Sequence, residues 1–385
     1  MSSNIPLYTL DGVPNADVST HYFASGDGLG LSMLRFRRAA AKDVVLIIHG
    51  LTTSSDMFIM PEHTNLVRTL LDHGYGDVFC LDYRMSNRHP YNLLARHYNM
   101  DDIALFDYPP ALARIRALAG AAARIHVICH CLGAVSFLMS LFGRASTGVT
   151  SVIANSAGLT PRVPDWSLLK LYLAPFLVEG VLGLPYLNPS WGGDAFLSRG
   201  KVLSKLASLI HRECDVPACH MLSLMWGTGA PALYNHRNLA EVTHHRGGDL
   251  YGAAGLHYYR HVRRMVRAGR AIKFDPGNRL YEKLPDDYLQ HAAEITTPVL
   301  LVTGTENHVF KDSNIVCHRK LEALAPGRHR LECIEGYGHQ DVFMGERVHE
   351  DVFPRFLSFL DSHAQPSRAG DGKVVDGGET AATTQ

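Results

Sequence analysis

The chain has 385 residues, 46% of them hydrophobic, and its 37 lysine and arginine residues balance its 37 aspartate and glutamate residues. This balance gives no reason to expect a nucleic-acid partner. Met1 to Gly12 lack a basic region followed by an apolar run, and the chain has no uncharged apolar run of about eighteen residues, so we expect neither a signal peptide nor a membrane-spanning helix. The seven cysteines show no spacing typical of a disulfide framework, which favours a reducing compartment, and we predict a cytoplasmic protein.

Short apolar runs alternate with helical patterns along most of the chain. The predicted strands are 21–23, 31–36, 44–48, 77–83, 125–130, 151–155, 298–303 and 330–334, and the predicted helices include 65–73, 102–118, 132–142 and 348–360. Continuous β-branched runs such as 44–48 are typical of strands buried on both faces of a parallel sheet. The sequence therefore predicts an α/β fold with a doubly wound, mostly parallel sheet.

Residues 158–287, which we name the inserted segment, interrupt this alternation with an apolar, helical pattern broken by prolines. The segment is too long for a loop inside a compact sheet, so we predict a helical cap inserted into a core of residues 1–157 and 288–364. Residues 166–187 are almost entirely apolar and are interpreted as a lid over a hydrophobic pocket, with an ordinary pair of buried helices as the alternative. The tail, residues 365–385, is rich in Gly, Ala and Thr and is expected to be disordered.

The sharpest motif is Cys129-His130-Cys131-Leu132-Gly133, at the junction of a predicted strand and a predicted helix. A strand that turns abruptly into a helix needs small residues two positions before and two after the turn, and this pattern is the nucleophile elbow, usually G-x-S-x-G. Cys131 stands where the serine normally stands. At a helix N-terminus the helix dipole favours an anion and lowers the pKa of a thiol. We predict that Cys131 is the nucleophile, with a plain buried cysteine as the alternative.

Two further motifs fall where an elbow enzyme needs them. His49-Gly50-Leu51 follows the predicted strand 44–48, and we expect the backbone N–H groups of Leu51 and Leu132 to form an oxyanion hole. Gly336-Tyr337-Gly338-His339 follows the last predicted strand, where the general base belongs. We predict that His339 is that base.

The third member of the triad departs from the usual pattern. Three residues past Gly304, where an aspartate is expected, the chain has Asn307. An asparagine carbonyl can orient a histidine by accepting from Nδ1–H, as in papain-like proteases, and a cysteine–histidine pair can rest as thiolate and imidazolium. We favour Asn307 for this role over Glu306, one residue earlier.

These motifs, together with others outside the triad, resemble the acid lipase branch of the α/β-hydrolases, the steryl-ester and triacylglycerol lipases of lysosomal and gastric type. The similarity covers the chain from Asp27 to about Leu360. The sequence also resembles the hydrolase-like segment of some bacterial proteins labelled cholesterol oxidases. The resemblance implies a lipophilic ester substrate, a helical cap, and nucleophile, acid and base at the positions of Cys131, Asn307 and His339. The segments outside the triad that carry it are 49–56, 100–104 with Asp107 and Pro109, 255–258, 271–275 and 312–315.

The sequence predicts no cofactor and no metal. No predicted strand leads into G-x-G-x-x-G, so neither a flavin nor a dinucleotide site is expected. The residue types of His211, Cys214, Cys219 and His220 suit zinc, but their spacing matches none of the common ligand pairings in combination. His257 and His261 lie four residues apart without the glutamate of a zincin, and we interpret them as polar residues of the cap.

We therefore predict an acyl-ester or thioester hydrolase that forms an acyl-enzyme on Cys131 and acts on a small lipophilic substrate. With an alcohol or amine as acceptor, the same site would make an acyltransferase. The alternative from another class is an inactive lipid- or partner-binding module. A transient contact between the cap and a membrane surface is a further expectation.

Overall fold

The computed structural model describes residues 9–93, 98–195, 198–229 and 231–365. The predicted tail lies outside the described residues, apart from Gln365. Ten strands form, in chain order β1 Asp17–Ala24, β2 Gly30–Arg37, β3 Asp43–Ile48, β4 Asp77–Asp82, β5 Arg124–His130, β6 Val149–Asn155, β7 Tyr186–Leu187, β8 Ala254–Gly255, β9 Val299–Gly304 and β10 Arg330–Ile334. Each of the eight strands predicted from the sequence is present.

Eight strands make one sheet in the order β1-β2-β4-β3-β5-β6-β9-β10. The pairs β1–β2 and β2–β4 are antiparallel, and every other pair in this sheet is parallel. The central strand β5 is buried from its second residue to its end, because helices cover both faces of a doubly wound sheet. The predicted fold class, an α/β-hydrolase sheet that is mostly parallel, is confirmed. β7 and β8 form a separate two-stranded ribbon.

Helices alternate with strands from β3 to β6 and from β9 to β10. Between β6 and β9, the described residues form six α-helices and the strands β7 and β8. Single π-helical turns at Ile103–Asp107 and Phe176–Val181 precede the helix Tyr108–Ala119 and follow the helix Asp165–Pro175. The α-helices are α1 Thr9–Gly12, α2 Leu66–His73, α3 Met100–Asp102, α4 Tyr108–Ala119, α5 Cys131–Phe142, α6 Asp165–Pro175, α7 Arg199–Ile210, α8 Pro217–Met225, α9 Glu241–His245, α10 Gly247–Leu250, α11 Leu256–Ala268, α12 Ser313–Leu324, α13 Asp341–Met344, α14 Val348–Asp351 and α15 Phe353–Asp361.

The inserted segment contains α6 to α11 and the β7–β8 ribbon, and it contacts the loops that follow the sheet strands. Gly252 N–H donates to the carbonyl of Thr52 at 2.8 Å, and the Thr52 hydroxyl donates to the carbonyl of Gly252 at 2.6 Å. Near the other end of the sheet order, the Leu233 carbonyl accepts from the loop after β10. These loops follow the carboxyl ends of parallel strands, where α/β folds bind ligands. Among the described residues, no helix is long and apolar enough to cross a membrane.

Candidate active site

The turn from β5 into α5 has the geometry that its small residues predict. Cys131 is the first residue of α5 and has a φ of 55°, in the left-handed region that a side chain rarely adopts. A Cβ on Gly133 would lie 2.1 Å from the His49 carbonyl oxygen, and a Cβ on Gly50 would lie 2.6 Å from the Cβ of Cys131. Only glycine fits at these two positions, because the chain nearly touches itself there.

The sulfur of Cys131 lies against two backbone donors. The N–H groups of Leu132 and Leu51 lie close enough to the sulfur to lower the pKa of the thiol. Leu51 follows β3 and Leu132 is the second residue of α5, so the fold itself brings the two groups to one point. A negative charge that develops beside this sulfur would meet preorganised donors.

His339 comes from the loop between β10 and α13. Its ring lies with the Cys131 sulfur and the His130 ring so that one ligand atom from each residue lies within 4.8 Å of the others. The inserted segment holds this loop, because the Leu233 carbonyl accepts from His339 N–H at 3.1 Å and from Gln340 N–H at 2.9 Å. The nucleophile and base predicted from the sequence are therefore brought together.

Burial controls the charge of both groups. It raises the pKa of the Cys131 thiol to about 12, against the smaller lowering by the two backbone N–H groups. It also lowers the pKa of His339 well below its usual value, and the neighbouring His130 lowers it further. Both effects favour a neutral thiol beside a neutral imidazole. The resting thiolate–imidazolium pair expected from the sequence is therefore not favoured in this site.

A polar network missed by the sequence analysis fixes the ring of His130. Its Nδ1 accepts from the Asn155 amide at 2.9 Å, so its Nε2–H donates to the Gln340 carbonyl oxygen at 3.0 Å. Burial lowers the pKa of His130 to about 4, which keeps the ring neutral beside His339. Gln340 directly follows the base, and this adjacency was the one sequence signal that pointed to the network.

Neither candidate for the third member reaches His339. Asn307 Oδ1 accepts from the N–H groups of Val309 and Phe310 at 3.0 and 3.1 Å, so the Asn307 side chain closes its own loop. Glu306 points to the surface, where it accepts from Asn235 at 2.9 Å. In the described part of the chain, no group hydrogen-bonds to Nδ1 of His339. Asparagine prefers such local backbone bonds because its amide is both donor and acceptor, and the sequence analysis did not weigh this.

A hydrophobic cavity of roughly 380 Å³ lies next to the site. Almost all of its lining comes from the inserted segment, and Lys170 is its only charged lining residue among those described. Lys170 donates to the carbonyls of Ser223 and Leu224 at 3.2 and 3.1 Å, and burial lowers its pKa to about 8. Phe310 lines the cavity and also packs on the ring of His339, with centroids 5.9 Å apart. Phe310 therefore borders both the cavity and His339.

Comparisons with known proteins identify the family and agree with the fold. A model of the family described as "Alpha/beta hydrolase family" matches residues 44–354. The chain is 23% identical over 376 residues to triacylglycerol lipase 1 of Arabidopsis thaliana, which covers 92% of this chain and 89% of the relative. An esterase from Pyrococcus furiosus has a TM-score of 0.53 at 14% identity, covering 90% of this chain and 92% of its own. A carboxylesterase structure from Nitrososphaera gargenis has a TM-score of 0.51 at 12% identity, covering 89% of this chain and 100% of its own. These structural likenesses concern the fold alone.

Proposed function

The chain belongs to the alpha/beta hydrolase family, with similarity to its lipases and esterases, and we propose that it hydrolyses acyl esters or thioesters through an acyl-enzyme on Cys131. One observation carries the proposal. The sulfur of an elbow cysteine lies between two backbone N–H donors, close to the ring of His339. This arrangement supplies a nucleophile, an oxyanion site and a base at one point.

The reaction follows from the neutral resting pair. A bond forms between the Cys131 sulfur and the acyl carbon while the thiol proton moves to His339. The N–H groups of Leu51 and Leu132 stabilise the charge on the acyl oxygen. The leaving alcohol or thiol takes the proton from His339 as its bond to the acyl carbon breaks. Water then attacks the acyl carbon of the thioester and gives a proton to His339. The bond between the acyl carbon and the Cys131 sulfur breaks, the carboxylic acid leaves, and the sulfur takes the proton from His339.

The cavity supports a lipophilic acyl group as substrate. Its volume and its apolar lining match pockets that bind small lipids better than pockets that bind charged ligands. Bound in this cavity, an acyl chain would extend away from Phe310 under α6 of the inserted segment. The inserted segment is then the cap over the substrate, as its apolar sequence suggested.

A transient contact with lipid surfaces belongs to the same proposal. Trp166, Phe176 and Val181, on α6 and the π-helical turn after it, are 59%, 69% and 65% exposed. Trp166 and Val181 also line the cavity, so the exposed apolar face surrounds its opening. A group of exposed apolar side chains around an opening is typical of an interaction site and is rare on the surface of a soluble monomer.

The proposed compartment is the cytoplasm. All seven cysteines are free thiols, including Cys131 and the exposed Cys333. A catalytic thiol needs a reducing environment to remain a nucleophile.

A chain-length series tests the substrate class. We expect the kcat/KM for p-nitrophenyl esters to rise from two to eight acyl carbons, because each buried methylene contributes about 0.8 kcal/mol, or roughly fourfold. The variant Ala174→Trp, which fills the cavity, should lose this rise but keep its activity on the acetyl ester. Val202→Trp is the control, since Val202 is exposed on α7 and lies outside the cavity lining. A flat or falling series in the parent protein would contradict a lipophilic substrate while leaving the cysteine chemistry open.

A further inference from the structure

Four side chains of the inserted segment form a second cluster, separate from the catalytic pair. Cys214 precedes α8, Cys219 lies in the first turn of α8, His236 starts a short 3₁₀ helix, and His244 is in α9. One sulfur or nitrogen from each lies within 4.8 Å of all the others. We name these four residues the Cys₂His₂ cluster.

The chemistry of this cluster is that of a closed zinc site. Zinc binds four sulfur and nitrogen ligands in a tetrahedron, with Zn–S and Zn–N distances of about 2.3 and 2.0–2.1 Å. Tetrahedral ligands at those distances lie roughly 3.3–3.8 Å apart. The Cys219 sulfur and the His236 Nε2 are already 3.4 Å apart. Two thiols and two imidazoles also select zinc over magnesium or calcium, which prefer oxygen.

One polar atom of the cluster lacks a partner that would explain its burial. His244 Nε2 is buried and has no hydrogen-bond partner within the described ranges. A neutral imidazole is the form that binds a metal, and a metal ion would deprotonate the thiol.

The two histidines nearest to these cysteines in the sequence have other hydrogen-bond or ion-pair partners. His220 Nδ1 lies 2.8 Å from the Ser208 hydroxyl, and its Nε2 lies 2.9 Å from the Cys214 carbonyl oxygen and 3.4 Å from the Cys214 sulfur. His211 lies 3.5 Å from the carboxylate of Glu213. The sequence analysis grouped the cysteines with these two histidines and expected no metal. Sequence spacing did not indicate this cluster, because its two histidines, His236 and His244, come from later in the chain.

We propose that Cys214, Cys219, His236 and His244 bind one zinc ion. The ion would cross-link α8, α9 and the 3₁₀ helix of the inserted segment. It would also fix the stretch beside the catalytic loop, since the neighbours of His236 hold that loop. Asn235 and Asn238 both donate to the Gly336 carbonyl, at 3.2 and 2.9 Å, and Asn238 also donates to Asp341 at 2.6 Å.

Metal analysis of the full chain, purified without added metal or chelator, tests this proposal independently of activity. Inductively coupled plasma mass spectrometry should find about one zinc per chain. Cys214→Ser and His244→Gln should each reduce this content at least about fivefold, because three ligands hold zinc far more weakly than four. His245→Gln and Cys333→Ser are the matched controls and should keep the parent's zinc content. His245 is adjacent to the cluster but 52% exposed, and Cys333 is an exposed thiol.

One further variant separates the cluster from the catalytic pair. Because His130, Cys131 and His339 also lie within 4.8 Å of one another, zinc could be held there instead. Cys131→Ala should therefore retain its zinc. Three results would overturn the proposal: less than about 0.1 zinc per chain in the parent protein, zinc that survives in His244→Gln, or zinc that is lost in Cys131→Ala. A disulfide between Cys214 and Cys219 in freshly purified protein, seen by mass spectrometry without reductant, would overturn it as well.

Discussion

Cys131 and His339 are both buried, and burial favours the neutral form of each. In a papain-like pair the thiol has already lost its proton before the substrate arrives. In the mechanism proposed here, the proton moves only during attack on the acyl carbon, because the pKa of the thiol is raised and that of the imidazole is lowered. His339 would then carry a positive charge for part of the reaction, without a carboxylate at Nδ1. A sulfur nucleophile suits this arrangement, because a thiol releases its proton more readily than an alcohol.

Replacing this sulfur by oxygen should be costly. We expect Cys131→Ser to lower kcat/KM for an octanoyl ester by about a hundredfold or more, close to 2.7 kcal/mol of transition-state stabilisation. The physical reason is that the imidazolium formed when serine attacks lacks a carboxylate partner. Cys333→Ser, at an exposed thiol outside the site, is the control for the substitution itself. A serine variant as active as the parent would mean that an acid serves His339 during catalysis.

The pH profile tests the neutral pair directly. His339 acts as a base only when it is neutral, and its pKa lies well below 6.5, so activity should fall only at pH values under 6.5. The thiol pKa of about 12 predicts no rise in kcat/KM between about pH 7 and 9. The measurement is kcat/KM for an ester that does not titrate in this range. A clear rise with a midpoint between pH 7 and 9 would show that the thiolate is the reactive resting form.

At the scale of residues, the sequence predicted where side chains lie better than it predicted which groups they hydrogen-bond to. The proximity of Cys131 to His339 and to the N–H groups of Leu51 and Leu132 was predictable, because the elbow and the order of strands determine where these residues lie. The role of Asn307 was not predictable in the same way, because a side chain with two kinds of hydrogen-bonding group chooses among contacts that only the folded loop presents.

At the scale of elements, segments 100–104 and 312–315 connect distant parts of the chain. The carboxylate of Asp101 accepts from Phe274 N–H at 2.7 Å and from the Tyr288 hydroxyl at 2.6 Å, which ties α3 to the end of the inserted segment. Asn314 donates to the carbonyls of Ala154 and Val302, at 2.9 and 2.6 Å, and so joins β6 to β9. These residues hold elements together and have no described contact with the catalytic pair.

The strands were predictable because each one carries its own signal. A continuous apolar run of β-branched residues is favourable in a buried parallel strand whatever surrounds it. The inserted segment is different, since its helices are placed by contacts far apart in the chain, such as Gly252 with Thr52. Its helical character was predictable, but its packing and the Cys₂His₂ cluster were not.

The exposed face of α6 and its π-helical turn leads to a prediction for this element. Phe176→Asp should weaken binding to phosphatidylcholine vesicles by about tenfold, because an exposed phenyl ring gains roughly 1.4 kcal/mol or more when it enters a lipid interface. Co-sedimentation with vesicles measures the bound fraction. Tyr22→Asp is the control, since Tyr22 is 76% exposed but lies on β1 at the edge of the sheet. Equal binding of Phe176→Asp and the parent would place any lipid contact elsewhere.

At the scale of the whole molecule, the sheet and the inserted segment contribute different parts of the candidate site. The sheet positions Cys131, the N–H groups of Leu51 and Leu132, and His339, all of which come from segments that follow β3, β5 and β10. The inserted segment supplies almost all of the cavity lining and, through Leu233, the backbone contact that holds the loop of His339.

The central claim is that this molecule carries its acyl group on Cys131. The most direct measurement is intact-mass spectrometry, followed by peptide mapping, of protein mixed with p-nitrophenyl octanoate and quenched in acid within the first turnover. We predict a mass increase of one octanoyl group, located on the peptide that contains Cys131 and absent from Cys131→Ala. An adduct that persists in Cys131→Ala and disappears in Cys129→Ala would contradict the account.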